Sequence, residues 1–330
     1  MTKKIFYLTA IWAVLSVAPI QAQDFAPVGT AVAQFLEIGL GARSTAMGEA
    51  YTAVTNDAGS VFWNPAGLAE VNNRNLYTTY TRWPADIAIG GAACAVKVGT
   101  LGVFSISTIY LMTDDMEITT VLQPEGTGQK FGISNYALGL TYARFLTDRL
   151  AVGMTVKLVH EKYFSYGYNS WALDMGTIYH TGYHGLNIGM SILHFGPDVR
   201  FDGSYIDYSD PKSADVNKPK TFETYSLPIN FRVGLSLDLI NTSQNRILTS
   251  VDMIHPNNQL EQYNWGLEYA FNQMFFLRGG YKFNADLGGL TLGAGTHFGL
   301  LGDRAANLDY SFANMGILKD IHRLSLTLTF

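Results

Sequence analysis

The 330-residue sequence predicts an all-β fold: a 14-stranded antiparallel transmembrane β-barrel with a short N-terminal helical plug or hatch. Three observations predict it. Period-two alternation of apolar and polar residues recurs from Arg74 to the last residue. The alternating runs reach ten residues or more, longer than the five or six usual in soluble sheets and long enough to cross a bilayer at a tilt. Charged residues make up only 15 %, against roughly 25 % in ordinary soluble domains, while aromatics reach 13 % and glycines number 33. A net charge of −5 gives no basic footprint for nucleic acid. The single cysteine, Cys94, leaves no intrachain disulfide and no zinc or redox motif, and no cofactor or metal is expected.

The chain divides into three. Lys3 and Lys4, the apolar run Ile5–Ile20 and the small residue Ala22 read as a secretory signal peptide over 1–22, too short and too terminal for a membrane span. Residues 23–73 form the plug or hatch segment, and 74–330 the barrel. Beyond the signal, no stretch approaches the ~18 uninterrupted apolar residues of a membrane helix.

The expected strands are, in order, 74–83, 86–99, 100–112, 133–146, 149–162, 168–181, 184–196, 223–240, 245–255, 260–272, 274–284, 288–300, 304–315 and 319–330. Leu150, Val152, Met154, Val156 and Leu158 alternate with Ala151, Gly153, Thr155 and Lys157. Tyr263, Trp265, Leu267, Tyr269 and Phe271 alternate with Asn264, Gly266, Glu268 and Ala270. The links after every second run are short, such as Thr147-Asp148 and Thr181-Gly182. The two long links, 113–132 and 197–222, both fall at the other end, the asymmetry of a bacterial outer-membrane barrel. In lipid an open sheet edge would strand backbone donors and acceptors, so such strands must close on themselves. The last strand, Ile321-His-Arg-Leu-Ser-Leu-Thr-Leu-Thr-Phe330, turns its leucines to lipid and its hydroxyls to the lumen. A C-terminal strand ending in Phe330 resembles the signal that barrel-assembly machinery reads on outer-membrane proteins.

The lumen face carries Lys157, Glu161, Arg232, Asp238, Asp252, Glu268, Arg278, Lys282, Asp309 and Arg323, five acids and five bases. A selective pore would more often show an excess of one sign, whereas balanced charge suits cross-strand pairs that fill the interior. Turns centred near Thr242, Gln273 and Gly316 place Arg232 opposite Asp252, Glu268 opposite Arg278, and Asp309 opposite Arg323.

The N-terminal segment follows another grammar. Gly39, Gly41 and Gly48 punctuate small residues, Glu49–Val54 suits a short helix, and Asn64-Pro65 reads as N-cap and first position of a second one over Pro65–Val71. Phe35-Leu36, Ile38-Gly39, Gly41-Ala42-Arg43, Met47-Gly48 and Ala50, followed by Asn56-Asp57 and Trp63-Asn64-Pro65-Ala66-Gly67-Leu68, resemble the opening signature of PorV/PorQ-type proteins, within the FadL-like outer-membrane barrels. The resemblance implies a hatch built on Gly41, Ala42, Arg43, Met47, Gly48, Asn64, Pro65, Ala66 and Gly67. It also implies a role in type IX protein secretion: binding a translocon barrel and secreted cargo proteins with C-terminal signal domains, in contact with outer-membrane lipid, with no catalysis. The 113–132 and 197–222 loops are then the expected partner surfaces. The alternative is a FadL-like transporter of hydrophobic small molecules, with a hydrophobic ligand in the lumen, a kinked or broken strand and an apolar cavity touching the hatch. His180 and His184 have a metal-like spacing, but Thr181-Gly182-Tyr183 between them reads as a turn, and no carboxylate follows in the needed place.

Overall fold

The computed structural model describes residues 28–206, 218–285, 288–300, 302, 304–316 and 320–330. The expected signal peptide at 1–22 lies outside the described residues, as do the first residues of the plug segment and part of the 197–222 loop. Fourteen strands form one closed antiparallel barrel. They are β1 (Arg74–Trp83), β2 (Ile87–Val98), β3 (Gly102–Met112), β4 (Ser134–Thr147), β5 (Leu150–Tyr163), β6 (Tyr166–His180) and β7 (Asn187–Phe195). There follow β8 (Asn230–Asn241), β9 (Asn245–Pro256), β10 (Gln262–Phe271), β11 (Phe275–Phe283), β12 (Leu290–Gly299), β13 (Ala305–Asn314) and β14 (Asp320–Thr329). The last strand pairs with the first, Asn75 opposite Thr329 through Arg82 opposite His322, so no edge remains open. Phe330 continues the seam by donating its N–H to the Arg74 carbonyl at 2.9 Å.

Alternation assigns the faces. Ile106, Leu140, Leu158, Leu277 and Leu324 are exposed on the outside of the wall, whereas Thr79, Thr155, Ser250, Ser311 and Ser325 are buried within. Among the described residues no helix is long and apolar enough to cross a membrane, and the strands carry the crossing.

One strand begins later than the alternation suggests. β8 starts at Asn230 rather than 223, because Pro228 has no N–H to give a ladder. The residues before it join the long loop instead: Tyr225 bridges Val199, and Ser226 bridges Ala31 in parallel. Two short hairpins stand on the long-loop rim, Met116–Glu117 against Lys130–Phe131 and Ser204–Ile206 against Pro219–Thr221.

The segment ahead of β1 fills the bore. It starts at the long-loop rim, where the Ala33 N–H donates to Glu161 at 2.9 Å. Glu161 is buried without a cation and also accepts from the Tyr163 hydroxyl at 2.5 Å and from Tyr168. The chain then descends through a 3₁₀ turn (Gln34–Leu36), helix α1 (Ala42–Ala46) and two more 3₁₀ turns (Ala58–Phe62 and Pro65–Glu70) to reach β1 at the opposite rim. The helix expected over Glu49–Val54 is absent. Glu49 sits at φ 64, in the left-handed region, and the N–H groups of Tyr51 and Thr52 go to the Asp252 carboxylate at 3.0 and 2.9 Å. A wall side chain has taken the donors that a helix would need.

Candidate functional site

The plug is held from two sides by different chemistry. Its apolar residues, Leu40, Met47, Val54, Val61, Phe62 and Trp63 among them, merge into one cluster with the inner face of β1 to β6, through Tyr77, Ile89, Ala93, Val103, Ile109, Ala137 and Ile178. Among the described residues of strands β7 to β14 only Leu248 joins that cluster, with Val199 and Leu227 added from the loop between β7 and β8. On that side the plug meets glycines, hydroxyls and charges.

The glycines are seats for the plug backbone. A Cβ on Gly280 would lie 2.1 Å from the Gly48 nitrogen, and one on Gly266 would lie 2.5 Å from the Met47 carbonyl oxygen. One on Gly189 would lie 2.5 Å from the Thr52 oxygen, and the other side has a seat too, on β5, where one on Gly153 would lie 2.4 Å from the Pro65 carbonyl. Several of these glycines are register partners: Gly153 with Gly176, Gly189 with Gly234, Gly266 with Gly280. Hydroxyls between them accept or donate to the plug backbone. Ser325 accepts from the Ala42 N–H at 2.8 Å, Thr291 from the Gly48 N–H at 3.0 Å, and Ser250 donates to the Ala50 carbonyl at 2.7 Å.

The expected hatch residues occupy this seat. Gly41 lies at φ 99, and a Cβ there would stand 2.3 Å from the Tyr77 hydroxyl. Arg43 grips Glu268 with two donors, at 2.8 and 3.0 Å, and reaches Asn56 at 2.8 Å. Met47 and Ala66 are fully buried, and a Cβ on Gly67 would run into Thr55 at 2.3 Å. Asn64 accepts from the Ala66 N–H at 3.1 Å, as an N-cap does, with Pro65 at the first position. The same buried amide donates to the Thr52 carbonyl at 2.9 Å and to Thr177 of β6 at 3.0 Å, so it ties two plug turns to the wall.

Of the three expected charge pairs, the register provides one. Glu268 and Arg278 are direct partners at 2.7 Å, and Arg278 reaches on to Asp309 at 2.6 Å. With Arg43 they form a buried chain of alternating sign, Arg43–Glu268–Arg278–Asp309. The other two pairings are corrected by a shift of two residues. Arg232 faces Ile254 while Asp252 faces Gly234, because the β8–β9 turn centres one residue later than Thr242 and a bulge intervenes between Asp238 and Ile240. Asp309 faces Ser325 and Arg323 faces Ser311, the same one-residue displacement of a turn that lies partly outside the described residues. Arg232 packs instead over the Trp63 ring at 4.8 Å and Arg323 over Trp83 at 5.7 Å.

Sequence reasoning missed two anchors. Lys157 pairs with Asp174 at 2.6 Å and touches His194 Nδ1 at 3.2 Å, beside the irregular β6–β7 pairing. Glu161, read as one lumen charge among ten, holds the plug entrance. Inward glycines on adjacent strands were the legible signal for the seats.

The plug parts the bore into two chambers. One of about 400 Å³ lies toward the long-loop rim, and one of about 330 Å³, around Arg43, Asp57, Arg246 and His297, lies toward the short turns. A separate void of about 10 Å³ lies beside Trp63 and Arg232. The larger apolar recess, about 740 Å³, is on the outside of the wall over Ala92, Cys94 and Thr108.

Solved barrels share this architecture. The Ralstonia pickettii toluene transporter TbuX superposes with a TM-score of 0.56 at 13% identity, over 88% of this chain and 97% of that one. A Pseudomonas aeruginosa FadL homologue gives 0.57 at 10% identity, over 88% and 98%. The Pseudomonas putida toluene transporter TodX gives 0.54 at 12%, over 88% and 96%. At such identities the likeness is one of fold. No curated protein matches the sequence. The profile of the type IX secretion system protein PorV matches residues 20–256, which take in the plug and the barrel through β9. The chain therefore belongs to the PorV family of type IX secretion proteins, as an outer-membrane β-barrel of FadL-like fold.

Proposed function

We propose that this barrel is a docking component of type IX secretion that engages the translocon barrel and the C-terminal domains of exported cargo at its extracellular rim. The fastened plug carries the reading: a segment held in the bore by buried ion pairs and glycine seats makes a rigid platform rather than a passage. The rim offers surface for partners. At the tip of the 113–132 arm Val121 is 99% exposed and Leu122 92%, an apolar pair held out on a short hairpin. Beside it Phe201 stacks edge-on with Tyr168 at 5.1 Å and Phe222 packs against Tyr205 at 5.0 Å, which stiffens the second long loop. At the opposite rim Phe330, half exposed beside Arg74, serves as the assembly signal, and outer-membrane lipid wraps the leucine face.

Passage of hydrophobic solutes is less well supported. It calls for a kinked or broken strand that opens an apolar cavity at the plug to the side, whereas β3 is paired along its length with both neighbours, the recess of about 740 Å³ faces outward, and the chamber against the plug sets Glu49, Lys282 and Arg323 among its apolar residues. The paired variant Val121→Ser with Leu122→Ser tests the docking reading. Capture of translocon and cargo proteins from native membranes should fall about tenfold, as for loss of a small hot spot of about 1.4 kcal/mol, with barrel abundance unchanged. Undiminished capture, or recovery of the wild-type barrel with bound lipid alone, would overturn it.

A further inference from the structure

The extracellular chamber contains a cation with no carboxylate in direct contact among the described residues. Arg323, on β14, is 4% exposed, lines the cavity of about 400 Å³, and makes no ion pair among the described residues; its Nε has no hydrogen-bond partner. Its only ring contact is the face of Trp83, 5.7 Å away.

The other charges around the cavity are engaged. Glu49 is paired with Lys282 and acts on Arg323 only through longer-range attraction, and Glu37 accepts from Asn258 at 3.0 Å. Burial pushes the Glu37 carboxyl above its ordinary range, against the lowering influence of Asn258 and Arg232. Deeper in the wall Asp252 accepts two plug N–H groups and does not line the cavity. A buried guanidinium left alone is costly, and a carboxylate in its fork is the natural complement.

The shape limits what brings that carboxylate. Phe35, Ile38, Leu111 and Met315 supply apolar wall beside Trp83, and Gln34 and Gln259 supply amide groups. The volume is that of a small-ligand pocket, room for two or three residues. Its floor is the plug, and its walls are paired strands, so an occupant enters and leaves by the extracellular mouth. A solute in transit would meet the fastened plug. A chain end belonging to a larger partner needs no exit.

We propose that this chamber captures the carboxyl-terminal residue of a partner polypeptide, its terminal carboxylate on Arg323 and its last side chain against Trp83 and the apolar wall. This deepens the docking reading and rests on it.

The test uses the purified full-length barrel in detergent micelles. Two pools of fluorescent decapeptides, randomised at the last three positions, are compared: one with free carboxyl ends, the other amidated. The free-acid pool should be retained at least tenfold better. Arg323→Met, which removes an unpaired buried cation and keeps its bulk, should abolish that preference while the barrel keeps its heat-resistant mobility, and Arg323→Lys should restore part of it. Equal retention of the two pools, an unchanged preference in Arg323→Met, or displacement of both pools by palmitate with tighter binding of the fatty acid would overturn the inference. Capture of translocon and cargo proteins by Arg323→Met in native membranes separates the two readings. If capture by the wild type occurs but the carboxylate preference does not, this inference alone fails; if the wild type captures no partner, the docking reading fails.

Discussion

The two arcs of the wall hold the same plug in opposite ways. From β1 to β6 the wall supplies nearly all of its apolar contacts to the plug, which packs there as one half of a protein core packs on the other, with the Gly153–Gly176 seat and the Lys157–Asp174 pair set among them. From β7 to β14 the inner face is glycine, hydroxyl and charge, and the plug backbone lies directly on the wall backbone, with Gly48 and Gly280 in contact. Aliphatic packing is tolerant, because side chains can shift to refill a gap. A backbone seat and a buried ion chain are not, because neither a clash with a main-chain atom nor an orphaned charge can be relaxed away. The arcs should therefore fail differently when altered.

The largest effect is expected on the polar arc. Glu268→Ala strips Arg43 of its carboxylate, leaves Arg278 with Asp309 alone, and should cost about 3–5 kcal/mol in denaturant unfolding followed by tryptophan fluorescence. Gly280→Ala adds only one methyl, yet it should cost about 3 kcal/mol or prevent the folded barrel from accumulating, since the new atom would meet the Gly48 nitrogen at 2.1 Å. On the apolar arc, Ile89→Ala removes a fully buried side chain and should cost about 2–3 kcal/mol with the barrel still assembled. A greater loss from Ile89→Ala than from Glu268→Ala would break the contrast between the arcs. The smallest effect belongs to the plug entrance: an epitope placed beside the exposed Gly29 should change stability by less than about 0.5 kcal/mol and bind antibody on intact cells. Labelling only after permeabilisation would reverse the assigned direction of the plug.

The strands were legible because alternation is a direct print of which side chains meet lipid and which the lumen; β5 reads at once from Leu150, Val152, Met154, Val156 and Leu158. The cap at Asn64-Pro65 was legible for the same local reason. What failed was whatever depended on counting through a turn. Arg232 and Asp309 were assigned partners two residues away from their true neighbours, since one extra residue in a hairpin shifts every pair beyond it. The seats at Gly153 and Gly266 could be placed on the inner face but not given an occupant, because the contact joins segments far apart in the chain. The helix expected at Glu49–Val54 failed for that reason too: Asp252 lies some two hundred residues on, and its carboxylate redirects the local backbone.

The parallel bridge between Ala31 and Ser226 bears on how the molecule is made. Residue 31 meets the outer loops while Arg74 begins the wall at the other rim, so the intervening stretch is a thread through a ring. Were the seam between β1 and β14 to zip first, that thread would have to be drawn lengthwise through a finished cylinder. The geometry favours the opposite order, in which the wall is wrapped around a segment already lying in place and the glycine row acts as the mould against which each new strand is set.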